Sequence, residues 1–169
     1  MTDEYLAKVG SDLVKKFKTR DPFEIAKCLN INVLQSPNFA DLKGMYRVIQ
    51  RNRFIFINEN LDERMQKIVC AHEIGHDRLH RRFAETNGLQ EFMLYDMTAK
   101  PEYEANVVAS EILLDTDEVL SYIFNEGYTA EQIAAITGVD ESLVALKIRN
   151  ISREHQNLRQ VEYDRNFLR

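Results

Sequence analysis

Proline occurs 3 times and glycine 6 times in 169 residues, too rarely for a collagen-like, Pro/Gly-rich or low-complexity chain. Cysteine is scarcer still. Cys28 and Cys70 stand 42 residues apart with no CxxC spacing, which fits neither a zinc knuckle nor a disulfide framework and reads as two free thiols in a reducing compartment. A basic excess is also missing: Lys and Arg number 22 against 27 Asp and Glu, a formal net charge of −5, where nucleic-acid binders usually carry a positive surplus. No stretch approaches the roughly 18 apolar residues of a membrane span. The opening Met1-Thr2-Asp3-Glu4-Tyr5-Leu6 is acidic where a secretory signal is basic. The expectation is a soluble, cytoplasmic protein without membrane attachment, with direct DNA binding demoted but not excluded.

What is present is an ordinary globular composition, 44% hydrophobic and 29% charged. A chain of this length buries about two thirds of its unfolded surface, so it needs neither disulfides nor a structural metal to fold. A metal, if bound, is then there for chemistry. One main domain over residues 1–120 is expected, with a C-terminal helical extension over 121–169 packed on the same unit.

Tyr5, Leu6, Val9, Leu13, Val14 and Phe17 recur at helical spacing, and Asp21-Pro22 supplies a cap and a first-turn proline for a second, short helix that Asn30 can end. Ile31 to Leu34 reads as a strand. Met45 to Ile49 and Phe54 to Ile57 flank polar Gln50-Arg51-Asn52-Arg53 as a β-hairpin, so three short antiparallel strands are expected. From Asp62 the period becomes helical again, with Met65, Ile68, Val69, His72, His76, Leu79 and Phe83 near one stripe. A less regular stretch from Glu85 to Lys100 contains Gly88, and Pro101 opens a helix to about Leu114. Ala130 to Thr137 and Glu141 to Ile148, separated by Gly138-Val139-Asp140, form a helical hairpin or helix-turn-helix, and the basic bias of Lys147 to Arg169 reads as a solvated helix end. The fold class is α+β and mainly helical, with a small sheet.

The residues that carry chemistry are His72-Glu73-Ile74-Gly75-His76, an HExxH sequence inside a helix. Histidines at i and i+4 lie about 6 Å apart along the axis and on one face, so both imidazoles can reach one zinc ion. Zinc lowers the pKa of a bound water to about 7, and Glu73 stands where a carboxylate can act as its base. From this composition the sequence arises by chance about once in a hundred such chains. Two unpartnered imidazoles on an apolar stripe would be costly to bury, and a metal supplies their partner. Gly75 costs about 1 kcal/mol in a helix interior relative to Ala, which makes sense if another backbone or a substrate approaches there.

A catalytic zinc usually takes three protein ligands and leaves one position open. His80 lies about 12 Å along the axis from His72, too far to share the ion, and reads as a packed or rim histidine with substrate contact as the minor alternative. In the next helix Glu102 borders the apolar face, whereas Glu104 and Glu111 fall about 200° and 180° away on the helical wheel. Asn106 lies beside Glu102, where its amide could orient a ligand. Glu102 could equally be a first-turn carboxylate favoured by the helix dipole, and periodicity alone does not choose.

Ala71-His72-Glu73-Ile74-Gly75-His76 followed by Leu79-His80 resembles the AHE(I/L)GHxxLH element of the ImmA/IrrE metallopeptidases, and Glu102-Tyr103-Glu104-Ala105-Asn106-Val107-Val108-Ala109 with Leu113-Leu114 resembles that family's ExxANxFAxxLL element. The hairpin with Ile57-Asn58, and Asp21-Pro22-Phe23-Glu24-Ile25-Ala26, match its lead-in and N-terminal helix, so the likeness runs over about residues 20 to 115. Val108 replaces the usual Phe and Asp115 a Met-Pro-like ending; neither belongs to the proposed metal site. The resemblance implies a zincin-like domain in which His72, His76 and Glu102 hold Zn2+ and Glu73 is catalytic; the residues by themselves leave Glu104 as the competing third ligand. It also implies a cytoplasmic protease of bacteria or their mobile elements whose protein substrate is a helix-turn-helix repressor, and hence an antirepressor.

The alternative is a non-enzymatic regulatory module that binds a repressor or DNA and keeps a structural metal. Residues 128–150 offer only Lys147 and Arg149 against Glu131, Asp140 and Glu141, which favours a structural hairpin or a repressor-docking surface over a DNA reader.

Overall fold

The computed structural model describes residues 1–37, 39, 42–82 and 99–154. Phe83, the stretch 85–98 and residues 155–169 of the basic tail lie outside the described residues.

Helix α1 spans Asp3–Phe17 and begins at Thr2, whose hydroxyl accepts the Tyr5 N–H. Helix α2, Pro22–Cys28, is capped by Asp21 with Pro22 in its first turn, and Asn30 beyond it takes a positive φ of 57°. The strands are β1 (Asn32–Ser36), β2 (Gly44–Ile49) and β3 (Asn52–Asn58). The two-residue turn between β2 and β3 holds both Gln50 and Arg51 at positive φ, the twist that a tight hairpin requires.

The sheet is mixed, which corrects the antiparallel expectation. Its order is β1-β3-β2, with β2 antiparallel and β1 parallel to β3. The local hairpin signal specified only the β2–β3 pair. β1 lies on the far side of β3 from β2 and runs with β3 rather than against its sequence neighbour β2.

Helix α3, Glu63–Leu79, starts at Asp62, whose carboxylate accepts the Met65 N–H at 2.7 Å. Helix α4, Lys100–Leu113, has Pro101 in its first turn. Arg20 closes the far end of α4, donating from Nη1 to the carbonyls of Glu111, Ile112 and Leu114 and from Nη2 to Asp115. Otherwise orphaned helix-end carbonyls are thus satisfied by a cation, the favourable sign for a helix C-terminus. Then follow α5 (Thr116–Phe124), α6 (Ala130–Thr137, with a Thr129/Gln132 capping box) and α7 (Glu141–Glu154). Helix α7 runs six residues beyond the end expected at Ile148.

One hydrophobic cluster unites these elements, from Leu6 of α1 through Ile55 and Ile57 of β3 and Ile74 of α3 to Leu143 and Ile151 of α7. Helices α3 and α4 cross at its centre. A Cβ on Gly75 would lie 2.8 Å from both the Cα and the carbonyl oxygen of Ala105, so the approaching backbone anticipated for Gly75 is that of α4. Among the described residues no helix is long and apolar enough to cross a membrane.

Candidate metal centre

The crossing of α3 and α4 brings His72, His76 and Glu102 together, all buried. The two Nε2 atoms are 3.0 Å apart, and Glu102 places Oε2 3.1 Å from His72 Nε2 and Oε1 3.2 Å from His76 Nε2. Donors bonded tetrahedrally to zinc at 2.0–2.1 Å lie about 3.3 Å apart, so the spacing is close to what one such ion demands. Among the described residues no other group of three His, Cys, Asp or Glu side chains is arranged to hold a metal.

The protons favour the same reading. His72 Nδ1 is 2.8 Å from Asn106 Oδ1; an amide oxygen only accepts, so Nδ1 carries the proton and Nε2 turns a lone pair toward Glu102. Although the imidazole nitrogens are close, neither oxygen of Glu102 meets a donor in hydrogen-bond geometry. A fully buried carboxylate without hydrogen bonds, facing nitrogen lone pairs, is costly unless a cation sits between them. The donor set therefore fits a divalent metal, and the N/N/O chemistry suits zinc without excluding manganese or iron.

Electrostatics also favour positive charge at this point. Burial alone would raise Glu102, yet a proton or positive charge on the facing His72 and His76 rings holds its carboxyl down to about 2, so in the absence of a metal a proton takes the place of the cation between the three groups. Burial pushes His76 down to about 4, while in His72 the pull of Glu102 and Glu73 outweighs burial and raises it. Burial pushes Glu73 up to about 7, with His72 opposing, Glu102 adding, and the Tyr46 backbone N–H opposing. A carboxyl poised near neutrality is matched to general-base work, and a neighbouring cation would favour its ionised form.

Strand β2 runs over Glu73. A Cβ on Gly44 would come within 3.4 Å of Glu73 Oε1 and 2.3 Å of Val69 Cγ1, so the strand can pass this close only without a side chain there. Behind it, buried Asp77 accepts from the Tyr46 hydroxyl at 2.7 Å, from Arg53 at 3.2 Å and from Arg81 at 3.1–3.2 Å. This network ties β2 and β3 to the end of α3 and keeps the Tyr46 N–H on Glu73. The sequence reading missed it; the available signal was an acid directly after the second histidine of a helix buried on most sides.

His80 stands behind His76, its Nδ1 3.0 Å from His76 Nδ1 and its Nε2 3.0 Å from Glu104 Oε2. It is not among the converging atoms. Glu104 and Glu111 do not point outward as the helical wheel suggested: both are buried, Glu104 on His80 and Glu111 on Lys147. Lys147 is likewise buried rather than a solvated helix end. The wheel fails because α4 is covered on several sides, by α1, α3 and α7, so an apolar stripe does not separate inside from outside.

The family of IrrE N-terminal-like domains, peptidase family M78, matches residues 26–149. The chain belongs to this metallopeptidase family. It is 31% identical over 151 residues to metallopeptidase ImmA of Bacillus subtilis strain 168, covering 82% of this chain and 81% of that protein. It is 41% identical over 135 residues to "Uncharacterized immunity region protein 2" of Bacillus phage phi105, covering 80% of this chain and 84% of the relative. The family match takes in α3, α4 and most of α7, so this member of the ImmA/IrrE family is related to its relatives well beyond the HExxH segment.

Proposed function

We propose that this protein is a zinc-dependent endopeptidase of the HExxH-plus-glutamate kind, with His72, His76 and Glu102 as the metal ligands and Glu73 as the catalytic acid–base. The observation that carries the reading is the convergence of two imidazole nitrogens and a buried carboxylate within tetrahedral reach of one ion. When bound, the cation supplies Lewis acidity, polarising a scissile carbonyl and making water acidic enough to attack at neutral pH. Glu73 accepts the proton from the attacking water and passes it to the departing amine nitrogen as the C–N bond breaks. Asn106 keeps the His72 ring turned toward the ion.

The substrate we propose is a helix-turn-helix transcriptional repressor in the cytoplasm, so that cleavage makes the protein an antirepressor, of a mobile genetic element. The resemblance to ImmA/IrrE proteases supports this, and the phi105 relative is named for an immunity region. The reading requires no DNA contact by α7, whose three bases are paired internally: Lys147 with Glu111, Arg149 with Asp3 and Tyr103, and Arg153 with Asp3.

The test combines metal content with cleavage of a co-encoded repressor. Glu73→Gln should retain about one zinc per chain and lose at least about a hundredfold in cleavage rate, the usual contribution of a general base. Cleavage by Glu73→Gln at the wild-type rate would remove Glu73 from the mechanism. Unfolding on chelation, with no cleavage by the zinc-loaded wild type, would favour a structural metal in a binding module.

A further inference from the structure

Glu104 lies two residues from the proposed ligand Glu102, on another side of α4, yet it is as buried as the site itself. Its Oε2 is 3.0 Å from His80 Nε2, and His80 Nδ1 is 3.0 Å from His76 Nδ1. A carboxylate can only accept, so His80 must carry its proton on Nε2. In the tautomer with that single ring proton, Nδ1 presents a lone pair, and the short contact to His76 needs a proton from the other side. That proton is the one on His76 Nδ1, which leaves the His76 Nε2 lone pair directed at Glu102 and His72. Without Glu104, His80 could carry its proton on Nδ1 and donate it to His76, forcing the His76 proton onto Nε2, where no metal could bind.

We propose that Glu104 and His80 are positioning residues that select the metal-binding tautomer of His76, as Asn106 does for His72. The inference rests on the metal-site reading above. It assigns Glu104 a role in the same site without making it a ligand. Partners of this kind typically change metal affinity by about 10- to 100-fold.

The test reads the tautomer and the affinity separately. Long-range 1H–15N correlation spectra of the zinc-free full chain report which nitrogen of His76 is protonated, and competition with a chromophoric chelator gives the zinc dissociation constant. In the wild type, His76 should carry its proton on Nδ1. Glu104→Gln is isosteric but can donate as well as accept, so it should populate the Nε2–H form and weaken zinc binding by about tenfold. His80→Leu removes the acceptor altogether and should weaken binding by more, and it keeps the idea testable if one variant folds poorly. Glu111→Gln, which changes a buried glutamate on the same helix, should leave the tautomer and the affinity unchanged.

Failure of the relay and failure of the site are distinguishable. If Glu102→Gln binds zinc like the wild type, the ligand assignment is wrong and the relay loses its object. If Glu102→Gln loses zinc while Glu104→Gln and His80→Leu keep both the wild-type tautomer and affinity, the metal site stands and the relay is wrong. A change in affinity without a change in tautomer, or the reverse, also overturns it.

Discussion

At the N-terminal end of α4 a buried carboxylate, Glu102, faces two imidazoles; toward the other end of the same helix Glu111, also buried, faces the ammonium of Lys147. The second arrangement is complete. Opposite charges meet, Asn150 adds a contact to the remaining oxygen, and α7 is held to α4. The first is incomplete: Glu102 has no hydrogen-bond donor in good geometry, and its neighbours offer lone pairs. Burial alone therefore does not distinguish a functional carboxylate from a structural one. What distinguishes them is whether the protein itself supplies the positive charge.

The largest test of this contrast is Glu102→Gln beside Glu111→Gln. Glu102→Gln should lower zinc affinity by at least about a hundredfold, beyond what loss of an outer partner costs. Its metal-free form should be no less stable to urea than the metal-free wild type, because a buried, unbonded charge has been removed. Glu111→Gln should do the opposite: zinc affinity is preserved, while the ammonium of Lys147, left without its carboxylate, costs about 3–5 kcal/mol of stability. Reversed outcomes would reverse the assignment of the two ends.

Next in size is the packing that sets the distance between the two helices. Gly75→Ala pushes a methyl group against the Ala105 backbone, which cannot yield as a side-chain tip would; overpacking of this kind costs about 1–3 kcal/mol. The variant should also bind zinc more weakly, because Glu102 is carried by the displaced helix. Thermal unfolding with and without zinc checks both effects.

The smallest effect belongs to Asp115, which lies just beyond α4. It is partly buried, which opposes ionisation, but the N–H groups of Glu118 and Asp117 and the Arg20 guanidinium together hold its carboxyl below the usual range. A carboxyl depressed in the folded state contributes stability above its unfolded pKa, about 3.9, and that contribution is lost as pH falls through the folded value. The Asp115 side chain is still more than a third exposed, so water screens it and Asp115→Asn should cost less than about 1 kcal/mol at pH 7. The difference from the wild type should disappear in acid, as urea midpoints measured at pH 7 and below pH 3 will show.

Much of the site was legible because it is written in local spacing. His72 and His76 share a face through i, i+4 geometry, Asp21 caps its helix as its position suggests, and the β2–β3 hairpin follows from two β-rich runs around a polar turn. The placing of Asn106 beside the site also followed from the helical wheel, since one angular step relates it to Glu102. The misread charges share a cause. Glu104, Glu111 and Lys147 are charged residues that sequence reasoning sends to the surface, yet each is buried with a partner from a distant segment.

Sequence alone determined most of the elements, though not the helix Thr116–Phe124, together with the pair of histidines and a shortlist of acids, because helix period, capping and turn chemistry act over a few residues. Only the tertiary structure decided that β1 runs parallel to β3, that Glu102 meets an incomplete donor set, that Glu104 meets the His80 imidazole and the N-terminal ammonium, and that Glu111 meets the ammonium of Lys147. The reason is that α4 is enclosed by three other helices, so whether a buried carboxylate finds a balancing group depends on which distant segment packs on its side.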